Sequence, residues 1–373
     1  MGSNQQDTRI RISKSTFMGR LKSWLLRLLF LCIFIGAYHC MDILLKEKSI
    51  HGILQAREMY AQPRDSIDVV FMGSSHIHCG VNTALLWTDY GIASYDYSAA
   101  EQPLWITYYY LKEICKYQKP SLIVLDLYSP ARFKEDHQYD YLKLNLNGVR
   151  FSLNKLEMIC ASCSPAKIWD FFPSIATYHD RYTELTKEDF EYLFKSREDR
   201  AVFKGYTPYY IVDPQEEPSL EQDMSGGITV KSEIYLQRII EYTREAGIDL
   251  FLIVTPYITT DEDELVYNRI HEIADHYGLE FNSTNYFYDA MGLDFQTDFN
   301  DNSHLNYLGS CKFTDYLASE LKAKYDIPDR RGDPRYVSWD RHAEEIDRQV
   351  AETAAKQQKI LEEMAAQESG SGE

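Results

Sequence analysis

Ile67-Asp-Val-Val-Phe-Met-Gly-Ser-Ser-His76 is a run of β-branched and apolar residues that breaks on a glycine and two hydroxyls. Residues 67–72 read as a buried first strand, and a helix is expected from about Asn82, whose side chain can cap it. A serine at the C-terminal end of the first strand of a parallel sheet, on a tight glycine-containing turn, exposes its hydroxyl where open α/β sheets place their sites. Ser75 stands in that place.

Outward from this turn the same pattern repeats. Ala93-Ser-Tyr-Asp96 reads as a short second strand, and Pro103 opens a helix with Leu104, Ile106, Tyr110, Leu111, Ile114 and Cys115 facing inward. Residues 121–128 read as a buried third strand. After an interruption the alternation resumes: a helix from about Val230 to Gly247, a strand over 249–254, and a helix from Asp261 to Gly278. A short strand near 279–281 follows, with a final helix from about Asn306. Short apolar runs alternating with amphipathic helices define an α/β fold with a mainly parallel sheet.

The interruption, residues 131–227, is rich in Tyr, Phe and charge, with helix starts at Ser164-Pro165 and Thr186-Lys-Glu-Asp189. It reads as a helical and looped insertion ending in the acidic loop Asp213–Pro218. The α/β domain therefore comprises 65–130 and 228–328. Beyond it, 336–366 reads as an amphipathic helix with Ile346, Val350, Ile360, Leu361 and Met364 on one side, a tail packed on the domain or, in the sharper reading, a partner-docking helix.

At the other end, residues 23–45 contain the one near-continuous apolar stretch at about the length a bilayer requires. Arg27 and Asp42 lie near its ends, where a charged head can reach water. The leader 1–22 carries Arg9, Arg11, Lys14, Arg20 and Lys22, which by the positive-inside rule keeps the N-terminus cytoplasmic and the rest of the chain extracytoplasmic. With no small-x-small cleavage site, a retained signal anchor is favoured over a cleaved signal peptide. Residues 46–64 are expected to be a linker.

The 373 residues carry 39 Lys+Arg against 57 Asp+Glu, a formal charge of -18, and that charge repels phosphate backbones, excluding a nucleic-acid partner. The seven cysteines imply no full disulfide framework. Cys160 and Cys163 have C-x-x-C spacing but no second pair, so a local disulfide or two inert thiols is expected. Among the 29 tyrosines, Tyr95, Tyr97, Tyr108, Tyr109 and Tyr110 are either packing residues, the favoured reading, or a sugar-stacking platform.

Serine needs a base to take its proton and a third group to orient that base. Asp301-Asn-Ser-His304, just before the last helix, supplies both at an offset that lets the carboxylate reach the imidazole. Ser75, His304 and Asp301 are the expected nucleophile, base and orienter. His76 and His78 adjoin the nucleophile, but without a further ligand they read as structural or substrate-contacting, and no metal or other cofactor is expected. Asp126 is expected to face the cleft from its strand end.

These blocks resemble the SGNH/GDSL hydrolase superfamily, and within it the membrane-anchored branch serving cell-envelope polymers, similar to the D-alanyl lipoteichoic acid transfer and alginate acetylation proteins. The resemblance covers residues 65–128 and 229–325 and implies a three-layer α/β/α, flavodoxin-like architecture. It matches Gly73-Ser74-Ser75-His76 to the nucleophile block and Asp301–Asn306 to the terminal Asp/His block. It places Ser98 where the family has an oxyanion-hole glycine. The chain departs at the third block: the family's asparagine, a side-chain oxyanion donor, is replaced by Leu125-Asp-Leu-Tyr-Ser-Pro130. Tyr128 and His78 are the substitutes to be considered.

The resemblance implies a serine acyl hydrolase or O-acyltransferase acting on an acylated cell-envelope polymer or a small acyl ester. The insertion would hold acceptor selectivity, and a multi-span membrane acyltransferase would be a partner. The alternative is a weak or inactive binding protein serving such an acyltransferase.

Overall fold

In a computed structural model the structure describes residues 4–132, 139–218 and 227–370, with side chains except at 4–16, 139–140 and 357–370. The described residues fall into two compact units, one made of the chain up to Glu47 with Ser174–Lys195, the other of Lys48–Pro173 with the chain from Ser196 onward.

The first unit is built on helix α1, Asn4–Leu45. Its stretch Phe17–Leu45, 29 residues around an apolar window of mean hydropathy 2.1, is long and apolar enough to cross a membrane. Asp42 at its end is bonded to Lys46 at 3.0 Å and to the Tyr178 hydroxyl. Arg181 donates to the Leu45 carbonyl and pairs with Asp189. Asp189 also closes the capping box of the short helix Lys187–Phe194, as the Thr186–Asp189 spacing predicts.

In the second unit five strands, among the described residues, form one parallel sheet in the order β2-β1-β3-β4-β5. They are β1 Val69–Met72, β2 Ser94–Asp96, β3 Leu122–Asp126, β4 Asp249–Val254 and β5 Phe281–Ser283. Apart from Asp249 every strand residue is buried, which is why β1, β3 and β4 read as near-continuous apolar runs instead of alternating ones. Alternate side chains serve two separate cores. Val70, Met72, Ile123, Leu125, Leu252 and Val254 enter one, and Val69, Phe71, Leu122, Val124, Phe251 and Ile253 the other.

The helices that cover these cores begin with α2, Ile53–Glu58. It is followed by α3 Ser75–Gly80, α4 Thr83–Tyr90 and α5 Leu104–Ile114. After the insertion come α6 Val230–Ala246, α7 Asp261–Tyr277, α8 Tyr307–Lys324 and α9 Val337–Gly370. Residues of α5, α6 and α7 (Leu111, Leu236, Ile270) pack in the first core, and Phe313, Leu317 and Leu321 of α8 in the second. The expected boundaries at Asn82, Gly247 and Gly278 hold. The Asn82 side chain accepts from the Ala84 and Leu85 N–H groups, and both glycines sit at φ 67, the left-handed cap that lacks a side-chain penalty.

Several expectations are corrected. Residues 46–64 are not a linker throughout: Ile53, Ala56 and Met59 are fully buried, the latter two in the first core, and the Gln55 amide donates to the Gly205 carbonyl. The first and third strands are shorter than read: β1 begins at Val69, and β3 ends at Asp126, after which the Leu127 N–H still donates to the Ile253 carbonyl and Tyr128–Arg132 turns into a short helix. The last strand lies two residues later than expected, at 281–283. The insertion 131–227 is divided between the two units, with 133–138 and 219–226 outside the described residues. The favoured packing reading of the tyrosines, by contrast, holds: Tyr95, Tyr97, Tyr109 and Tyr110 are buried in the first core and form no exposed sugar platform. Cys160 and Cys163 are free thiols. The first turns of α9 pack on the domain through Trp339, Ala343 and Ile346, whereas the side chains of Ile360, Leu361 and Met364 lie outside those described.

Candidate active site

The strand order reverses at β1, which has β2 on one side and β3 on the other, so a crevice opens at its C-terminal end. The chain leaves β1 through Gly73 and turns at once into α3. Ser74 caps that helix by accepting the His76 N–H, and Ser75 is its first residue. The sequence reading missed this helix and placed the first one at Asn82. Gly73 is required by contact: a Cβ there would lie 2.8 Å from Asp126 Cβ and 3.0 Å from Ile77 Cγ1.

The Asp301–His304 segment is a tight turn closed by the bridge Phe299–Leu305, with the Asn300 N–H donating to the His304 carbonyl at 2.8 Å. Asn306 then caps α8 by accepting the Leu308 and Gly309 N–H groups. Ser75 Oγ stands 2.8 Å from His304 Nε2, and His304 Nδ1 stands 3.0 and 3.1 Å from the two Asp301 oxygens. Burial raises the Asp301 pKa. The hydrogen bond and charge of His304, the Ser303 N–H at 2.8 Å and the Asn300 amide at 2.9 Å outweigh it and hold the carboxyl well below the usual carboxylate range. Asp301 is thus an anion that fixes the imidazole with Nδ1–H toward itself and leaves Nε2 to accept from the serine hydroxyl.

Of the residues expected to serve the oxyanion, Ser98 lies just beyond β2. Neither its N–H nor that of Ser75 donates to another group among the described residues, so both are available. The Ser98 hydroxyl meets His78 Nδ1 at 3.0 Å, while His78 Nε2 faces His51 Nδ1 at 3.4 Å. With both ring nitrogens taken, His78 is a brace for the Ser98 loop and not a substitute oxyanion donor. Tyr128 lays its ring on His76, centroids 3.5 Å apart, and its hydroxyl is 3.5 Å from Ser303 Oγ. Asp126 does not face the cleft. It is fully buried, accepts the Thr255 N–H at 2.8 Å, and burial, only partly offset by the N–H groups of Thr255 and Tyr128, pushes it up to about 7.

Tyr209 and His51 were missed as neighbours of the triad, whereas His76 was read as adjoining Ser75 in a structural or substrate-contacting role. The His76 ring lies 5.1 Å from that of His304, buried with no hydrogen-bond partner on either nitrogen, and burial followed by the His304 charge holds it neutral. Tyr209 presents its ring edge-on to His304 at 5.6 Å. His51 touches His78 and accepts the Ala100 N–H on its carbonyl. His51 and Tyr209 come from segments without periodicity, and nothing in their local sequence marks them. The exit of the insertion is tied to the elements that carry Ser75 and His304: the Thr207 N–H donates to the His78 carbonyl and the Tyr307 N–H to the Tyr209 carbonyl, both at 2.6 Å. Among the described residues no three His, Cys, Asp or Glu side chains converge as a metal-binding set. Compared with known proteins, the chain matches no family model and no curated protein.

Proposed function

We propose that this protein is an extracytoplasmic serine acyl-ester hydrolase or O-acyltransferase of the SGNH type, with the three-layer, flavodoxin-like architecture of that superfamily. Its substrate would be an acylated cell-envelope polysaccharide or related polymer. In this reading α1 anchors the chain with its N-terminus in the cytoplasm, and a multi-span membrane acyltransferase is the partner that supplies or receives the acyl group.

The observation that carries the reading is the unbroken chain of contacts from Ser75 Oγ through His304 to Asp301 at 2.8 and 3.0 Å. Ser75 attacks the acyl carbonyl while His304 Nε2 takes its proton, and Asp301 stabilises the imidazolium. The Ser75 and Ser98 N–H groups receive the oxyanion. Collapse expels the alcohol, which takes the proton back from His304. The acyl-serine then passes to water or to a sugar hydroxyl, deprotonated by the same imidazole.

A second reading, a weak or inactive accessory protein that holds polymer for the acyltransferase, is favoured by one observation. The end of β3 offers the buried Asp126 where the family has its side-chain oxyanion donor, and loss of one such donor costs about a hundred- to a thousand-fold.

Hydrolysis of p-nitrophenyl acetate by the full chain in nonionic detergent separates the two. Turnover lost in both Ser75→Ala and His304→Ala supports the enzyme. A folded wild type without turnover supports the accessory role. Fluorophosphonate labelling that survives Ser75→Ala would remove Ser75 as nucleophile.

A further inference from the structure

At the end of the sheet opposite the triad, the segment Met59–Arg64 leading into β1 meets Tyr117 and Gln118 ahead of β3. Together with Arg150, Arg197 and Arg200 they enclose a cavity of about 360 Å³. Four guanidinium groups line it; three are held by backbone carbonyls or an aromatic ring, and the fourth meets, among the described residues, only a distant carboxylate. Arg64 Nη2 donates to the Lys116 carbonyl at 2.8 Å. Arg197 donates from Nε and Nη2 to the Ala61 and Gln62 carbonyls at 3.1 and 3.0 Å. Arg150 lies over the Tyr60 ring, 4.2 Å from its centroid, with Tyr117 at 5.9 Å. The nearest carboxylate to Arg200 is Glu58 at 4.0 Å, beyond hydrogen-bond length.

Several arginines elsewhere in this acidic chain pair closely with carboxylates: Arg330 with Asp68 at 2.8 Å, Arg132 with Asp263 at 3.0 Å, Arg348 with Glu345 at 2.6 Å. Among the described residues Arg64, Arg150 and Arg197 have no such partner, although acids outnumber bases 57 to 39. The buried Glu113 beside the cavity is already occupied by Lys116 at 2.5 Å and the Tyr60 hydroxyl at 3.0 Å. The cavity therefore keeps a net positive charge with pre-positioned N–H donors.

We propose that this cavity binds a phosphate-bearing ligand. Four guanidinium charges exceed what one carboxylate would neutralise. Their planar forks suit the several oxygens of a phosphoryl group, each guanidinium retaining donors beyond those spent on carbonyls. The Tyr60 and Tyr117 rings, packed edge to face at 5.0 Å, give the organic part of the ligand an apolar wall. Arg64 precedes β1 and Ser75 follows it, so the four-residue strand, about 13 Å long, separates the two sites. The ligand is an anchor or effector outside the catalytic crevice, and the proposal stands or falls independently of the esterase reading. A soluble phosphate compound and a phospholipid headgroup share this chemistry.

The test is calorimetric titration of the full chain in nonionic detergent with inorganic phosphate, with sodium chloride at equal ionic strength as control. Dihexanoylphosphatidylglycerol against dihexanoylphosphatidylcholine forms the lipid arm. Saturable phosphate binding is expected, weakened at least about tenfold in the double variant Arg64→Gln/Arg150→Gln and partly restored by Arg64→Lys/Arg150→Lys, since lysine keeps the charge without the fork. Arg150 stacks on the buried Tyr60 ring, so the melting temperature without phosphate checks the fold of each variant. The lysine pair serves if the glutamine pair fails to fold. Phosphatidylglycerol binding more tightly than phosphate identifies a lipid headgroup; equal or weaker binding identifies a soluble ligand. Wild-type binding no different from chloride, or a double variant that binds phosphate as wild type does, overturns the proposal.

Discussion

Gly73 and Asp126 are in direct backbone-to-side-chain register: a Cβ added to Gly73 would stand 2.8 Å from Asp126 Cβ and 3.1 Å from its Oδ2. The turn that carries Ser75 thus rests on a buried acid at the end of the neighbouring strand. Gly73→Ala must move one or the other, and overpacking of this kind costs about 1–3 kcal/mol. The expected result is a folded protein with a lower melting temperature and ester turnover reduced about tenfold or more, because Ser75 is displaced from His304. Thermal melts beside p-nitrophenyl acetate kinetics check it.

Asp126 also gives stability a pH signature. Its folded pKa of about 7 lies above the ordinary 3.8, so between those values the folded state binds more protons than the unfolded state. Stability then falls as pH rises through that window. Asp126→Asn, which cannot ionise, is expected to flatten the fall. Melting temperatures of both proteins measured from pH 5 to 8 should diverge toward high pH, with the variant the more stable. Parallel curves would refute the assignment.

Asp301 accepts Nδ1 of His304 and is held ionised. Asp301→Asn is expected to lower kcat by about a thousand-fold, since the amide permits the wrong imidazole tautomer, with KM changed far less. Steady-state kinetics separates the two parameters.

His78 spends both ring nitrogens, on Ser98 and on His51. His78→Ala should loosen the Ser98 loop and cut kcat about tenfold, roughly one hydrogen bond's worth of positioning, with KM nearly unchanged. A change confined to KM would reassign His78 to substrate binding.

Trp339 in the first turn of α9 is fully buried, donates to the Ser94 carbonyl at 3.1 Å and lies under the Lys204 ammonium at 3.5 Å. Trp339→Ala is expected to cost about 3–5 kcal/mol, read as a lower denaturant midpoint. The start of the C-terminal helix is therefore part of the fold.

The strands and the caps at Asn82, Gly247 and Gly278 were legible because their signals are local: apolar runs buried on both faces, a side chain that caps its own helix, a glycine in the left-handed region. Helix α3 was not, since six residues after a turn are too few to show a period. Residues 46–64 read as a linker because His51, Gln55 and Glu58 conceal the buried side of α2, and their partners lie far along the chain. For the site, Ser75 on its turn and the Asp301–His304 offset are short-range patterns.

By itself, then, the sequence determined the alternating α/β order, an N-terminal helix apolar enough for a bilayer, and the residue types of a nucleophile, a base and an orienter. Only the tertiary structure decided that Ser75 and His304, 229 residues apart, come to 2.8 Å. It also decided that His51, His76 and Tyr209 surround them, and that four arginines from separate segments share a cavity. The reason is range: dihedral preference and hydrophobic period act over a few residues, whereas the meeting of distant side chains is fixed by strand order and by which faces of the sheet are buried.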